Sequence, residues 1–187
     1  MNAYKCLNSN IVKTGDYSLV PIRHADIGLI GQWRNEQIDV LRQKLLLTEN
    51  DQEEYYTNAV KPSFTQEHPS IILFSYLLDG QLIGYGGITN INWISKKAEV
   101  SFLLDTSRIK DKIIYRKEFS LFLDLIKKVA FHDMAFHKLF TETYNIRPFH
   151  IEILEENEFI LEGKLNKRLL IDNKWIDSLI HGYIYHG

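Results

Sequence analysis

The chain has 187 residues, the size of one domain, and is long enough to bury a core without disulfides or metals. Its 22 Lys and Arg against 24 Asp and Glu give a net charge of −2, which argues against a nucleic-acid partner held by bulk positive charge. One cysteine, Cys6, excludes an internal disulfide framework, and the absence of any run near 18 apolar residues leaves no membrane-spanning helix to expect.

Residues 1–16 are polar and mixed and read as an N-terminal arm, loose or with a short leading strand; residues 17–187 read as a single domain. Met1 to Asn10 lacks the apolar core of a signal peptide, so a cytoplasmic protein is expected. Tyr17 to Pro21 reads as a strand. Asp26 is placed to cap a helix through Ile27, Ile30 and Trp33 that ends near Asn35. Thr48 is placed to cap a second helix reaching about Val60, with an acidic first turn that suits the helix dipole. Pro62 and Pro69 bracket a loop.

Ile71 to Leu78 is an apolar run of strand length, and Asp79-Gly80 is a hairpin turn signal. Gln81 to Thr89 continues as a strand carrying Gly84, Gly86 and Gly87, a density that marks a bulge or a close backbone approach. After a polar turn, Ala98 to Leu104 is the next strand. A basic loop, Asp105 to Lys112, precedes a long helix from about Ile114 to Phe131, with Phe119, Phe122, Leu123, Ile126 and Ala130 on one face. Lys138 to Tyr144 reads as a strand and Ile151 to Glu156 as a short helix, with Pro148 suited to its first turn. Phe159 to Gly163 and Arg168 to Ile171 are strand-like, Asp172-Asn173 is a turn, and Trp175 to Tyr185 is the last strand. Strands and helices alternate only in part, which predicts an α+β fold around a mixed sheet. The seven histidines show no paired ligand spacing, so no metal is expected.

Four segments in this order carry a resemblance: Trp33-Arg34-Asn35; Ile83-Gly84-Tyr85-Gly86-Gly87; Ala98-Glu99-Val100-Ser101-Phe102-Leu103-Leu104; and Thr141 to Phe159 with Asn145 and Leu154-Glu155-Glu156-Asn157-Glu158-Phe159. Together they resemble the GNAT family of acyl-CoA N-acyltransferases, in the branch of ribosomal-protein and amino-sugar acetylases. The resemblance spans roughly residues 17–185. It implies a mostly antiparallel central sheet flanked by helices, with a splayed strand pair that takes acetyl-CoA. The donor's pantetheine would run along the backbone of Ser101, Phe102, Leu103 and Leu104, near Asn145. Its pyrophosphate would sit at the following loop and helix N-terminus.

Two positions depart from the family. The phosphate loop, Ser107 to Tyr115, holds no glycine where the family has a glycine-rich pattern, so Arg108, Lys110 and Lys112 are the compensating cations. Leu154 stands where many members carry a tyrosine acid, and Glu158 where glycine is usual.

Amine acetylation needs a neutral amine, a polarised carbonyl and alignment of the two. Glu99 is the candidate base, in a context similar to histone-acetylating members; the alternative is pairing with Lys96 or Lys97. Tyr144 and His150 are candidates for the acid or a second base. Trp33, Arg34, Asn35, Arg42, Tyr85 and His181 are candidates for the acceptor site. There Arg34 and Arg42 would clamp a phosphate or carboxylate, and Trp33 would act as a platform. The alternative puts Trp33 in the core and pairs the arginines with Glu36 or Asp39. The expected reaction is direct transfer from acetyl-CoA to a primary amine, first an amino sugar or sugar nucleotide, second a peptide or protein N-terminus. The rival is a non-catalytic binding domain of the same fold. The C-terminal edge strand leaves room for a second copy, a homodimer.

Overall fold

Eight strands form one sheet in the computed structural model, which describes residues 2–186. In chain order they are β1 (Val12–Thr14), β2 (Tyr17–Pro21), β3 (Ile72–Leu78), β4 (Gln81–Asn92), β5 (Lys97–Leu104), β6 (Lys138–Tyr144), β7 (Ile160–Ile171) and β8 (Lys174–Ile184). The sheet order is β1-β2-β3-β4-β5-β6-β8-β7. Only β5 and β6 are parallel; every other neighbouring pair is antiparallel. The mixed, mostly antiparallel α+β sheet expected from the sequence is the one observed. Around it lie α1 (Ile27–Glu36), α2 (Glu49–Tyr55), α3 (Lys61–Ser63), α4 (Lys112–Lys127) and α5 (Pro148–Glu156). Wider π-type turns carry α2 into α3 and extend α4 to Asp133.

Local chemistry sets most of these boundaries. Asp79 and Gly80 both hold positive φ, 49° and 79°, the geometry that closes a two-residue hairpin between β3 and β4. Asp172 and Asn173, at 46° and 59°, do the same between β7 and β8. Thr48 caps α2 in a reciprocal box with Asp51. Asp26 does not cap α1. Its carboxylate accepts from the Arg23 guanidinium at 2.6 and 2.8 Å and from the Ser75 hydroxyl at 2.5 Å, so it ties the helix start to β3 instead. Pro62 lies inside α3 rather than in a loop, in the last turn of the continuous helix that the π-type segment carries on from α2. β7 is one strand with two register shifts, where the sequence suggested two.

The core lies between the sheet and α4. Phe119, Phe122, Leu123, Ile126 and Ala130 are all buried, as their spacing predicts. The leading segment joins this core: Tyr4 is 1% exposed, and its hydroxyl donates to the Leu73 carbonyl and accepts from the Leu73 N–H, both at 2.8 Å. Two glycines of β4 let its neighbours close in. A Cβ on Gly86 would stand 2.2 Å from the Ser101 carbonyl of β5, and one on Gly87, at φ 153°, 2.0 Å from the Ile72 carbonyl of β3.

Candidate active site

The parallel pair is where the sheet opens. β5 and β6 pair only at Lys97↔Lys138, Ala98↔Leu139 and Glu99↔Phe140. Beyond these residues β5 stays with β4 as far as Leu104, while β6 stays with β8 as far as Tyr144. The two strands part like a wedge, and the edge of β5 from Val100 onward faces the gap.

A cleft of about 190 Å³ fills the wedge, lined by Glu99, Ser101, Phe102, Thr141, Glu142 and His150 among others. A cavity of about 300 Å³ adjoins it beneath α1 and α2, with Tyr85, Tyr55, Asp51 and Ile27 in its wall; Arg34, Thr89 and Ser101 line both spaces. On the other side a groove of about 500 Å³ runs past Lys110, Lys112, Tyr115 and Phe149, and shares Val40, Arg147 and His150 with the cleft. A long thioester donor and a small acceptor thus have two separate approaches to one point.

Glu99 lies at the last paired position of β5 and is 6% exposed. It accepts from both terminal nitrogens of Arg42 and from Asn90 Nδ2 at 2.6 Å, not from the adjacent lysines. Arg42 also reaches Glu142 Oε2 at 3.3 Å, and Glu142 takes Arg168 Nε at 3.2 Å. Burial works against the Arg42 charge, but the Glu99 and Glu142 carboxylates outweigh it and push its pKa up. A guanidinium therefore stands between two carboxylates at the apex of the wedge.

His150, on α5, is buried with its ring stacked on Phe119 at 4.3 Å. Its Nδ1 is 2.7 Å from the Tyr115 hydroxyl, which also accepts from Arg147 Nη2 at 3.0 Å. Burial, and then the neighbouring Arg147 and His181, hold the imidazole pKa well below its usual range. His150 is neutral at pH 7. Burial also pushes the Tyr115 phenol up, so it keeps its proton.

The other expected residues divide. Ser101 and Phe102 line the cleft, Tyr85 and Arg34 the acceptor-side cavity, and Lys110 and Lys112 the outer groove. Arg34 is held by the Tyr85 hydroxyl and by Gln43 Oε1 at 3.1 Å, not by Glu36 or Asp39. Arg108 is in none of these walls: its guanidinium forms a two-point pair with Glu118, which is 1% exposed under the sheet. Leu103 and Leu104 are buried, and the Leu104 carbonyl accepts from Gln37 Nε2 at 2.8 Å. Trp33 is a core residue at 5% exposure rather than an open platform. Asn35 pins the following loop through Leu47 and Gln43. Asn145 is exposed, its backbone N–H donating to the Asp177 carbonyl. Tyr144 is half-buried beside Arg42 and Glu142, and burial raises its pKa. His181 is fully buried behind β6.

Sequence reasoning missed Gln37, Tyr115, Thr141, Glu142 and Arg147. Glu142 and Thr141 carried one signal, their place just before the expected end of β6; the others carried none. The loop after β5 is also more closed than a phosphate cradle needs. Asp105 takes the Ser107, Arg108 and Ile109 N–H groups, and Asp111 caps α4 by accepting from Ile113 and Ile114 at 2.9 and 3.1 Å.

Residues 19–180 match a family model described as an acetyltransferase (GNAT) domain. The chain belongs to the GNAT family. It is an acyltransferase of a family that uses acetyl-CoA. Solved GNAT structures share its fold at low identity. A spermidine N-acetyltransferase from Vibrio cholerae in complex with CoA and spermine has a TM-score of 0.77 at 18% identity, covering 91% of this chain and 96% of that one. A ribosomal-protein-S5-alanine acetyltransferase from Vibrio fischeri has a TM-score of 0.71 at 18% identity, covering 95% and 98%. A dodecameric form of the Vibrio cholerae spermidine enzyme has a TM-score of 0.74 at 18% identity, covering 91% and 95%. No curated protein matches the sequence.

Proposed function

We propose that the protein moves an acetyl group from acetyl-CoA directly to a primary amine carrying further positive charge. The observation that carries this reading is the β5–β6 wedge, with Glu99 at its apex and separate approaches from the Tyr85 cavity and the Lys110–Lys112 groove. The donor's pantetheine would lie along the open edge of β5 at Ser101 and Phe102, a strand edge used as a ligand dock. Its phosphates would meet the side chains of Lys110 and Lys112, since Asp111 already caps the helix. The amine would enter past Tyr85 and lose its proton towards Glu99, directly or through water, once Arg42 moves aside. Holding carbonyl and amine in line supplies much of the rate.

A cationic acceptor suits the carboxylates of Glu99, Glu142 and Asp51, which share the two inner spaces with Arg34, Arg42 and Arg147. An amino sugar phosphate or sugar nucleotide would need Arg34 and Arg42 as its clamp, but Arg34 is held by Tyr85 and Gln43, and Arg42 keeps Glu142 as a partner when it leaves Glu99. The likeness to a spermidine acetyltransferase bound to CoA and spermine supports the same choice. The donor's place in metabolism carries a cytoplasmic setting with it. The β7 edge, with Leu170 and the β8 residue Trp175 exposed nearby, supports a homodimer.

Free-thiol release from acetyl-CoA tests the reading against three amines: spermidine, glucosamine 1-phosphate and an alanine-terminated peptide. Fastest turnover of spermidine is the expected result. Fastest turnover of the amino sugar would restore the acceptor expected from the sequence, and of the peptide the N-terminal alternative. Binding of CoA with no transfer to any amine would favour the non-catalytic domain.

A further inference from the structure

The family's usual acid has no counterpart here, because Leu154 is apolar and fully buried at that position. The charge that develops on the departing sulfur still has to be met. Most polar groups around the wedge already have partners: Glu99 with Arg42 and Asn90, His150 Nδ1 with Tyr115. Thr141 does not. It is the first residue of β6 beyond the last β5 pair, Glu99↔Phe140, and it lines the cleft beside Phe102, Phe119 and His150. It is 5% exposed, and its hydroxyl has no hydrogen-bond partner among the described residues. His181 faces it across the β6–β8 ladder, fully buried, with Nδ1 unpartnered among those residues and Nε2 3.5 Å from Glu155 Oε1. A buried hydroxyl left unpaired opposes folding, so an apolar residue of the same shape would make a more stable strand.

We propose that the Thr141 hydroxyl is a catalytic hydrogen-bond donor to the thioester sulfur, filling the place left by the missing tyrosine. The inference rests on the acetyl transfer proposed above. In the step it serves, the amine nitrogen bonds to the acetyl carbon and the carbon–sulfur bond breaks. The electron pair stays on sulfur as the thiolate, and the surplus proton of the new amide passes to Glu99 or water. Thr141 gives up no proton; its O–H dipole meets charge that is small in the bound thioester and large in the leaving group. Such a contact lowers the barrier without tightening ground-state binding.

The test compares wild type, Thr141→Val and Thr141→Ser for three quantities: affinity for acetyl-CoA, kcat with the fastest amine of the panel, and thermal midpoint. Thr141→Val is expected to bind acetyl-CoA as wild type does and to lose about 100-fold in kcat. Its melting temperature is expected to rise, because it replaces an unpaired hydroxyl by a methyl group. Thr141→Ser is expected to keep kcat within a few-fold. A merely structural hydroxyl would give the opposite sign in melting temperature. Wild-type kcat in Thr141→Val, or a loss confined to acetyl-CoA affinity, would overturn the assignment alone. Wild-type protein that transfers acetyl to no amine would overturn the proposed function and this step with it.

Discussion

His150 is 8% exposed, with Tyr115 on one nitrogen and Phe119 against its face, and burial there favours the neutral ring. This has a consequence for stability. In the unfolded chain the ring takes a proton below about pH 6.5. In the native chain it takes one only at a much lower pH, so the unfolded state binds more protons in between. Stability should therefore be unaffected by His150 above about pH 6.5 and should fall as the pH drops below it. Thermal melts from pH 7.5 to 5 should show this decline, and His150→Asn, which keeps an acceptor for Tyr115, should flatten it. An equal decline in both proteins would place the sensitivity elsewhere. The same scale shows what a sequence conceals. The Thr48 cap was legible because the N–H it accepts from is only three residues away. Tyr85 lies 51 residues from Arg34, Glu99 lies 57 from Arg42, and the Leu104 carbonyl lies 67 from Gln37, so only the order of strands in the sheet could reveal these contacts.

Helix α5 ends on a position the family usually gives to glycine. Glu158 holds φ 67°, and the Glu158 and Phe159 N–H groups close back onto the Glu155 and Leu154 carbonyls. This is the left-handed stop that glycine adopts without penalty and an L side chain does not. Glu158→Gly should raise stability by about 1 kcal/mol and the melting temperature by about 3 °C. No change, or a loss, would mean that the Glu158 side chain contributes more than its backbone conformation costs. The departure was visible in the sequence as a residue type out of pattern, and the backbone angle gives it its physical meaning. Elements were legible wherever turn residues or a 3.6-residue period set them, as in both hairpin turns and α4. They were misread where pairing decided, as in β7, whose expected gap narrows to an irregularity between Leu165 and Leu169 because Lys164 and Leu165 pair with β8.

Across the whole molecule, a net charge of −2 is spread as mixed charges around the site. Glu99, Glu142 and Asp51 share the inner spaces with Arg34, Arg42 and Arg147, while Lys110 and Lys112 share the outer groove with Glu36 and Asp39. The donor and the acceptor would reach the wedge from separate sides, told apart by shape and by individual contacts rather than by net sign. The fold was legible because the Gly-rich strand, the Glu99 strand and the α5 segment keep their order along the chain. The pairing of charges around the site was not, since it depends on which side of the sheet each loop returns to. In this reading the β5–β6 wedge holds acetyl-CoA although its phosphate loop lacks glycine and Asp111 caps the helix behind it. Calorimetric titration of acetyl-CoA into the protein tests this most directly. A single site in the micromolar range, roughly −8 kcal/mol, is expected, weakened by salt because lysine side chains carry the phosphates. The absence of binding at millimolar acetyl-CoA would contradict it.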